Sequence, residues 1–183
     1  MSKKILVLTG SARKGGNSNR MAQAFAEAAA AKGNDVKVID TTRLKLNFCH
    51  ACQTCYKTGK PCSFDDDFNT IADDILAADA LVFSCPVYWY SVPSQIKAVI
   101  DKMFSFVIGG KEEQFFGKAC ALICCCEEAD PAILDGVRVP FERTAALNQW
   151  KVVGEVLVPG VLAIGDVDKT DGIAQAAALA DKF

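Results

Sequence analysis

Histidine is nearly absent from this chain: His50 is the only one among 183 residues. A Ser-His or Cys-His couple, of the kind that activates a hydrolytic nucleophile, has almost nothing to build on. Strong charge of either sign is missing as well. The formal net charge is -2, and no Lys/Arg-rich stripe appears, which argues against a nucleic-acid surface. The longest apolar run, Ala119 to Cys126, is far too short to cross a bilayer. Lys3 and Lys4 before Ile5-Leu6-Val7-Leu8 superficially resemble the start of an export signal. That apolar stretch is short and runs into a polar glycine loop, so no targeting segment is expected. No internal repeat, low-complexity tract or linker divides the chain.

Cysteine, by contrast, is plentiful, with nine residues. Without an export signal, that number suggests a reducing compartment, the cytoplasm, and thiols or metal-bound thiolates rather than disulfides. The rest of the composition, 51% hydrophobic and 23% charged, is that of a soluble globular protein. The length suits one domain, residues 1–183, with a sizeable core.

Strand and helix patterns alternate along the chain. Lys4 to Thr9 is a short apolar run ending at Gly10, as in a strand buried on both faces. Asn17 to Lys32 is alanine-rich, carries Met21 and Phe25 one turn apart, and stops at Gly33, a natural helix end. Asp35 to Ile39 reads as a second strand, and Thr41 to Phe64 as a long loop without a clear period. Aspartates 65 to 67 can cap a helix with Phe68, Ile71, Ile75 and Leu76 on its apolar face. Ala80 to Cys85 is a third strand, halted by Pro86. Pro93 suits a first helical turn, with Ile96, Val99, Ile100, Met103 and Phe104 as one stripe. Gly117 to Cys125, Pro131 to Trp150, Lys151 to Val158 and Gly172 to Asp181 read as strand, helix, strand and helix. Such alternation predicts an α/β fold, a parallel sheet with helices on both faces.

Ligands of such sheets bind at the carboxyl ends of strands. The loop there after the first strand, Gly10-Ser11-Ala12-Arg13-Lys14-Gly15-Gly16-Asn17-Ser18-Asn19, combines hydroxyls, an arginine and glycines with a helix N-terminus. Those are the parts of a phosphate cradle, although a solvated turn would look similar. Gly16-Asn17 stands where a P-loop needs Lys-Ser/Thr, and no Gly-x-Gly-x-x-Gly is present. After the third strand come Pro86-Val87-Tyr88-Trp89-Tyr90. Consecutive aromatics at that place can pack against a planar ligand, or simply fill the core. Together the two loops fit a planar phosphorylated cofactor, and flavin mononucleotide (FMN) has both features.

Cys49-His50-Ala51-Cys52-Gln53-Thr54-Cys55, followed by Cys62, brings four thiols into a short loop at about 45–64. That spacing fits an iron–sulfur cluster or a zinc ion, though structural zinc pairs usually sit farther apart in sequence. Free thiols are the third reading. His50 is either a fifth ligand or a solvent-facing side chain. Cys85 and Cys120 lie in or at the ends of buried strands and read as inert core thiols.

At the glycine loop, the cysteine run, Asp66-Asp67-Phe68, Ala78-Asp79-Ala80 and Ser84 to Asp101, the chain resembles the flavodoxin-like NAD(P)H-dependent FMN reductases, and more narrowly the iron–sulfur flavoproteins. The resemblance covers about the first 125 residues. It implies a flavodoxin-like, doubly wound five-stranded parallel sheet in the order 2-1-3-4-5. It also implies that Ser11, Arg13, Asn17 and Ser18 hold the FMN phosphate, while Pro86, Val87, Tyr88 and Trp89 line the ribityl chain and ring. Cys124 to Glu128, including Cys125 and Cys126, would approach the ring from another side. Three adjacent cysteines are unusual there. Cys49, Cys52, Cys55 and Cys62 would ligate a [4Fe–4S] cluster.

The activity so implied is an FMN-dependent oxidoreductase that takes electrons from transiently bound NAD(P)H, or from a redox protein, and reduces a small acceptor such as a flavin or quinone. No side chain is required as acid, base or nucleophile. The alternatives are an electron-transfer protein passing electrons between cluster and FMN, and a non-catalytic redox sensor. The resemblance also suggests a homodimer or homotetramer, with Phe104-Ser105-Phe106 and Phe115-Phe116 as candidate interface aromatics.

Overall fold

The computed structural model describes residues 2–183. In chain order the elements are β1 (Lys4–Thr9), α1 (Asn17–Ala31), β2 (Asp35–Asp40), α2 (Phe68–Ala77), β3 (Ala80–Pro86) and α3 (Ser94–Lys102). They continue with α4 (Phe104–Ile108), α5 (Glu112–Phe115), β4 (Ala119–Cys125), α6 (Asp135–Leu147), β5 (Lys151–Val158) and α7 (Gly172–Leu179). The strands form one five-stranded sheet in the order β2-β1-β3-β4-β5, with every neighbouring pair parallel. This is the expected flavodoxin-like α/β arrangement.

Side chains of the central strands alternate between two cores, because successive residues of a strand point to opposite faces. Leu6, Leu8, Leu81, Phe83 and Leu122 face α2, α3 and α6, where Phe68, Ile75, Ile96 and Phe141 meet them. Ile5, Val7, Val82, Ala121 and Ile123 face α1 and α7 through Met21, Phe25, Ala176 and Leu179. Burying a side chain such as Phe25 or Phe68 contributes about 1.5–3 kcal/mol. Covering both faces of the sheet leaves its carboxyl edge as the open end. The strand order reverses between β1 and β3, so a crevice opens at that edge.

Several boundaries differ from the sequence pattern. The expected helix over 131–150 is a 3-10 turn, Pro131–Leu134, followed by α6. Asp130 caps the turn by accepting the Ala132 N–H at 2.9 Å. Pro140 lies inside α6 on an exposed position. The helix ends at Leu147, and left-handed Gln149 (φ 57°) turns the chain so that the Trp150 indole N–H donates to the Phe115 carbonyl, 2.8 Å away. Pro93 lies just before α3 rather than in its first turn. A break at Met103 rotates Phe104 out of the expected stripe, leaving it 48% exposed. Phe106, Phe115 and Ser105 are buried and Phe116 packs against the same core, so of that candidate interface set Phe104 alone is exposed. Asp66, not Asp67, accepts the Phe68 N–H at the start of α2, at 3.2 Å. Among the described residues, no helix is long and apolar enough to cross a membrane.

Candidate functional site

A cleft of about 500 Å³ opens at the carboxyl ends of β1, β3 and β4, a size typical of small-molecule sites. Ser11, Arg13, Asn17 and Ser18 line one end; Pro86, Val87, Tyr88 and Trp89 line another; Cys125 and Cys126 form part of the wall between. These ten residues therefore face one cavity, whereas Cys124, also in the expected stretch, is buried in the core instead.

At the first end, Gly16 precedes α1 and no side chain caps the helix. The N–H groups of its first turn are left for a ligand. Ser18 is buried, and its Oγ has no hydrogen-bond partner. Ser84 Oγ donates to the Ser18 carbonyl at 3.0 Å and ties the turn to β3. A Cβ on Gly16 would approach Ser11 Oγ to 2.8 Å and the Arg13 carbonyl to 3.1 Å, so the cradle needs glycine there.

Arg13 and Asn17 are engaged by a segment that the sequence reading left out. After β5 the chain returns over α1, and Arg13 Nη1 donates to the Leu162 carbonyl at 2.8 Å. Asn17 Nδ2 donates to the Ala163 carbonyl at 2.9 Å, while its Oδ1 accepts N–H groups from Gly165 (3.0 Å) and Val167 (3.4 Å). Asn17 thus shapes the cleft by holding this loop, and Val161 and Leu162 enter the lining. Glu127 and Glu128 of the expected Cys124–Glu128 stretch also line it, and Tyr90 and Ile133 are lining residues outside the expected set. Their signal was positional: each follows the carboxyl end of a strand in the sheet, where ligands of this architecture collect.

The aromatic end is a tight hairpin. Tyr88 and Ser91 exchange both backbone hydrogen bonds, at 2.9 and 3.1 Å. The two residues between them, Trp89 (φ 47°) and Tyr90 (φ 59°), are left-handed. Bulky residues in that conformation cost of order 1–3 kcal/mol each. Gly136 of α6 supports the turn, because a Cβ there would sit 1.7 Å from the Tyr90 carbonyl oxygen. Trp89 is 95% exposed at the mouth of the cleft. Hydrogen bonding with the Glu128 carboxylate raises the Tyr90 phenol above its ordinary pKa. Burial pushes the Cys125 thiol up to about 12, so it is a neutral wall rather than a nucleophile.

A second pocket gathers Cys49, Cys52, Cys55 and Cys62, with Lys102 and Ser105 on the α3–α4 side. Burial raises the Cys55 thiol, and Cys62, Cys52 and Cys49 add to that rise. The Thr54 hydroxyl and N–H and the Ser63 hydroxyl lower Cys52 to about 7. Left-handed Ala51, Gln53 and Tyr56 (φ 53°, 56° and 59°) punctuate the loop, and Tyr56 packs where a Gly109 side chain would otherwise sit, 2.2 Å from its ring. Among the described residues, no three His, Cys, Asp or Glu side chains converge tightly enough for a single metal ion. All four donors are thiols, so the donor set suits an iron–sulfur group, and Ser105 Oγ beside them is buried without a partner. His50 stacks on Phe48 (4.8 Å) and meets Phe64 edge-on (4.9 Å). It makes these aromatic contacts at the edge of the same pocket.

Comparison with known proteins agrees with this fold. A family model described as NADPH-dependent FMN reductase matches residues 3–132. An iron-sulfur flavoprotein of Archaeoglobus fulgidus is 28% identical over 175 residues, covering 90% of this chain and 73% of the relative. An iron-sulfur flavoprotein of Methanosarcina thermophila is 32% identical over 99 residues, a match to 54% of this chain and 51% of that protein. Among solved structures, an azoreductase from Bacillus anthracis superposes with a TM-score of 0.75 at 20% identity, covering 100% of both chains. The NAD(P)H:quinone oxidoreductase of Methanothermobacter marburgensis gives 0.72 at 16% identity, covering 98% of this chain and 95% of that one. The chain belongs to the NADPH-dependent FMN reductase family and is an FMN-dependent oxidoreductase.

Proposed function

We propose that this chain oxidises NADH or NADPH at FMN held in the β1–β3–β4 cleft and passes the electrons to a small acceptor, a flavin or quinone. Bound FMN supplies hydride acceptance and onward electron transfer. The protein's residues bind and orient. Ser11, Ser18 and the first-turn N–H groups of α1 hold the phosphate, with the unused N–H groups of Arg13 adding charge. Asn17 fixes the loop over that end. Pro86, Val87 and Tyr88 line the ribityl chain and ring, with Trp89 at the open mouth and Cys125 and Cys126 in the wall beside them. The observation that carries the reading is the Ser18 hydroxyl, buried without a partner beside an uncapped helix N-terminus. An exposed mouth accommodates donor and acceptor in turn. Steady-state lines that run parallel in NADH or NADPH and a quinone support this alternation; intersecting lines overturn it.

A second reading, electron transfer between a [4Fe–4S] cluster and FMN, is favoured by the four thiols around one pocket. Anaerobic reconstitution with ferrous iron and sulfide tests it. Added absorbance in the blue, with stoichiometric iron, supports the cluster; a flavin spectrum alone supports the two-electron reductase. The nine thiols, all unpaired, suit a reducing cytoplasm. We read the assembly as a homodimer or homotetramer in which exposed Phe104 and the Tyr88–Tyr90 hairpin are available for contact. Sedimentation equilibrium decides this, and a monomer at micromolar concentration would refute it.

A further inference from the structure

Beneath the cysteine loop lies a buried ion pair that the FMN chemistry does not use. Lys102, in the last turn of α3, places its ammonium 2.5 Å from Asp66 Oδ2, with the two side chains 1% and 3% exposed. Burial works to raise the Asp66 carboxyl, but the Lys102 ammonium and the N–H groups of Asn47 and Phe68 outweigh it and hold the group below its ordinary value. Replacing a buried pair of this kind by packed apolar groups is commonly neutral or stabilising. Stability alone therefore does not require it here.

The same ammonium has a second partner. Lys102 Nζ donates to Cys62 Sγ at 3.4 Å, and Cys62 is the buried member of the four cysteines. Phe64 and Phe68 flank the ammonium, with ring centroids 5.2 and 5.8 Å away, and keep water from it. Lys102 also lines the cysteine pocket, next to Ser105 with its unpartnered hydroxyl. The α3–α4 wall therefore presents one cationic donor to the Cys62 sulfur, with the unpartnered Ser105 hydroxyl lining the same pocket. The Cys62 N–H is itself held by Asn69 Oδ1 at 2.8 Å, which keeps the thiol in register with the lysine.

We propose that Lys102 is a positioning residue that sets the electron affinity of the iron–sulfur cluster held by Cys49, Cys52, Cys55 and Cys62, through its hydrogen bond to Cys62 Sγ, with Ser105 as a weaker second donor. The proposal rests on the cluster reading above. Donors and positive charge at ligand sulfur stabilise the reduced, more negative cluster and raise its reduction potential. Asp66 anchors the ammonium to the start of α2 and to the cysteine loop through Asn47, so the donor cannot swing away.

The test uses the full chain, reconstituted anaerobically with iron and sulfide and loaded with FMN. Cluster and flavin midpoint potentials are read separately, by low-temperature electron paramagnetic resonance and by visible absorbance. Lys102→Met is expected to make the cluster midpoint more negative, Ser105→Ala to shift it less in the same direction, and Lys102→Arg to stay near the parent. The flavin midpoint stays unchanged in all three. The double variant Asp66→Asn/Lys102→Met removes both charges, in case an unpaired Asp66 unfolds the single variant, and is expected to show a negative shift smaller than that of Lys102→Met. Equal cluster midpoints at equal iron content overturn the assignment, as does an equal displacement of the flavin midpoint. A parent protein that binds FMN but takes up no iron overturns the cluster reading and this proposal with it.

Discussion

Ser18 shows how one hydroxyl can separate binding from folding. Its Oγ is buried and unpartnered, and an unmade buried hydrogen bond costs about 1–3 kcal/mol. Ser18→Ala removes that burden from the free protein, so the melting temperature without FMN is expected to hold or rise. A hydrogen bond to a charged phosphate contributes about 1.5–3 kcal/mol, so FMN affinity is expected to fall about ten- to hundredfold. Fluorescence titration against a thermal melt separates the two effects, and a destabilised variant with unchanged affinity would take Ser18 out of the phosphate site. Ser11, Arg13 and Ser18 were legible as a hydroxyl-rich, cationic glycine loop. The work of Asn17 was not. Its amide meets residues 146 to 150 positions away, and nothing in its own neighbourhood points there.

At the scale of elements, the Tyr88–Ser91 hairpin depends on its neighbour. Tight turns with two left-handed central residues normally use Asn-Gly, Asp-Gly or Gly-Gly; this one uses Trp89 and Tyr90. The aromatic run and Pro86 were readable as a special connection, whereas the turn type contradicted local preference and could not be read. It is held instead by the start of α6, where Gly136 lies against the Tyr90 carbonyl. Gly136→Ala cannot be relieved by a rotamer change, because the obstacle is backbone. Overpacking of this kind costs about 1–3 kcal/mol. The variant is expected to melt earlier and to retain less FMN through gel filtration; wild-type retention would separate the hairpin from the cofactor site. The break between Pro131–Leu134 and α6 has the same lesson. The sequence shows Pro131 and Pro140, but packing against the hairpin determines where the helix proper begins.

For the whole molecule, the buried thiols of β4 tie stability to pH. Burial pushes Cys120 and Cys125 up to about 12 from an ordinary value of 9.0. Both stay protonated in the fold over a range where the unfolded chain ionises. Their contribution is complete below pH 9 and is lost as pH rises towards 12. Urea midpoints measured under reductant should therefore fall along the alkaline limb, and Cys120→Val should flatten that limb; an unchanged slope would count against the burial effect. The sequence by itself determined the alternation of strand and helix, the two cores of the sheet, the phosphate loop and the thiol-rich donor set, because hydrophobic period and turn chemistry act over a few neighbouring residues. Only the tertiary structure decided that the loop after β5 occupies Asn17, that α6 pins a left-handed aromatic hairpin, and that Lys102 reaches Cys62 from α3. Those contacts join distant segments, and they exist only once the closed sheet brings its carboxyl edge and surrounding loops together.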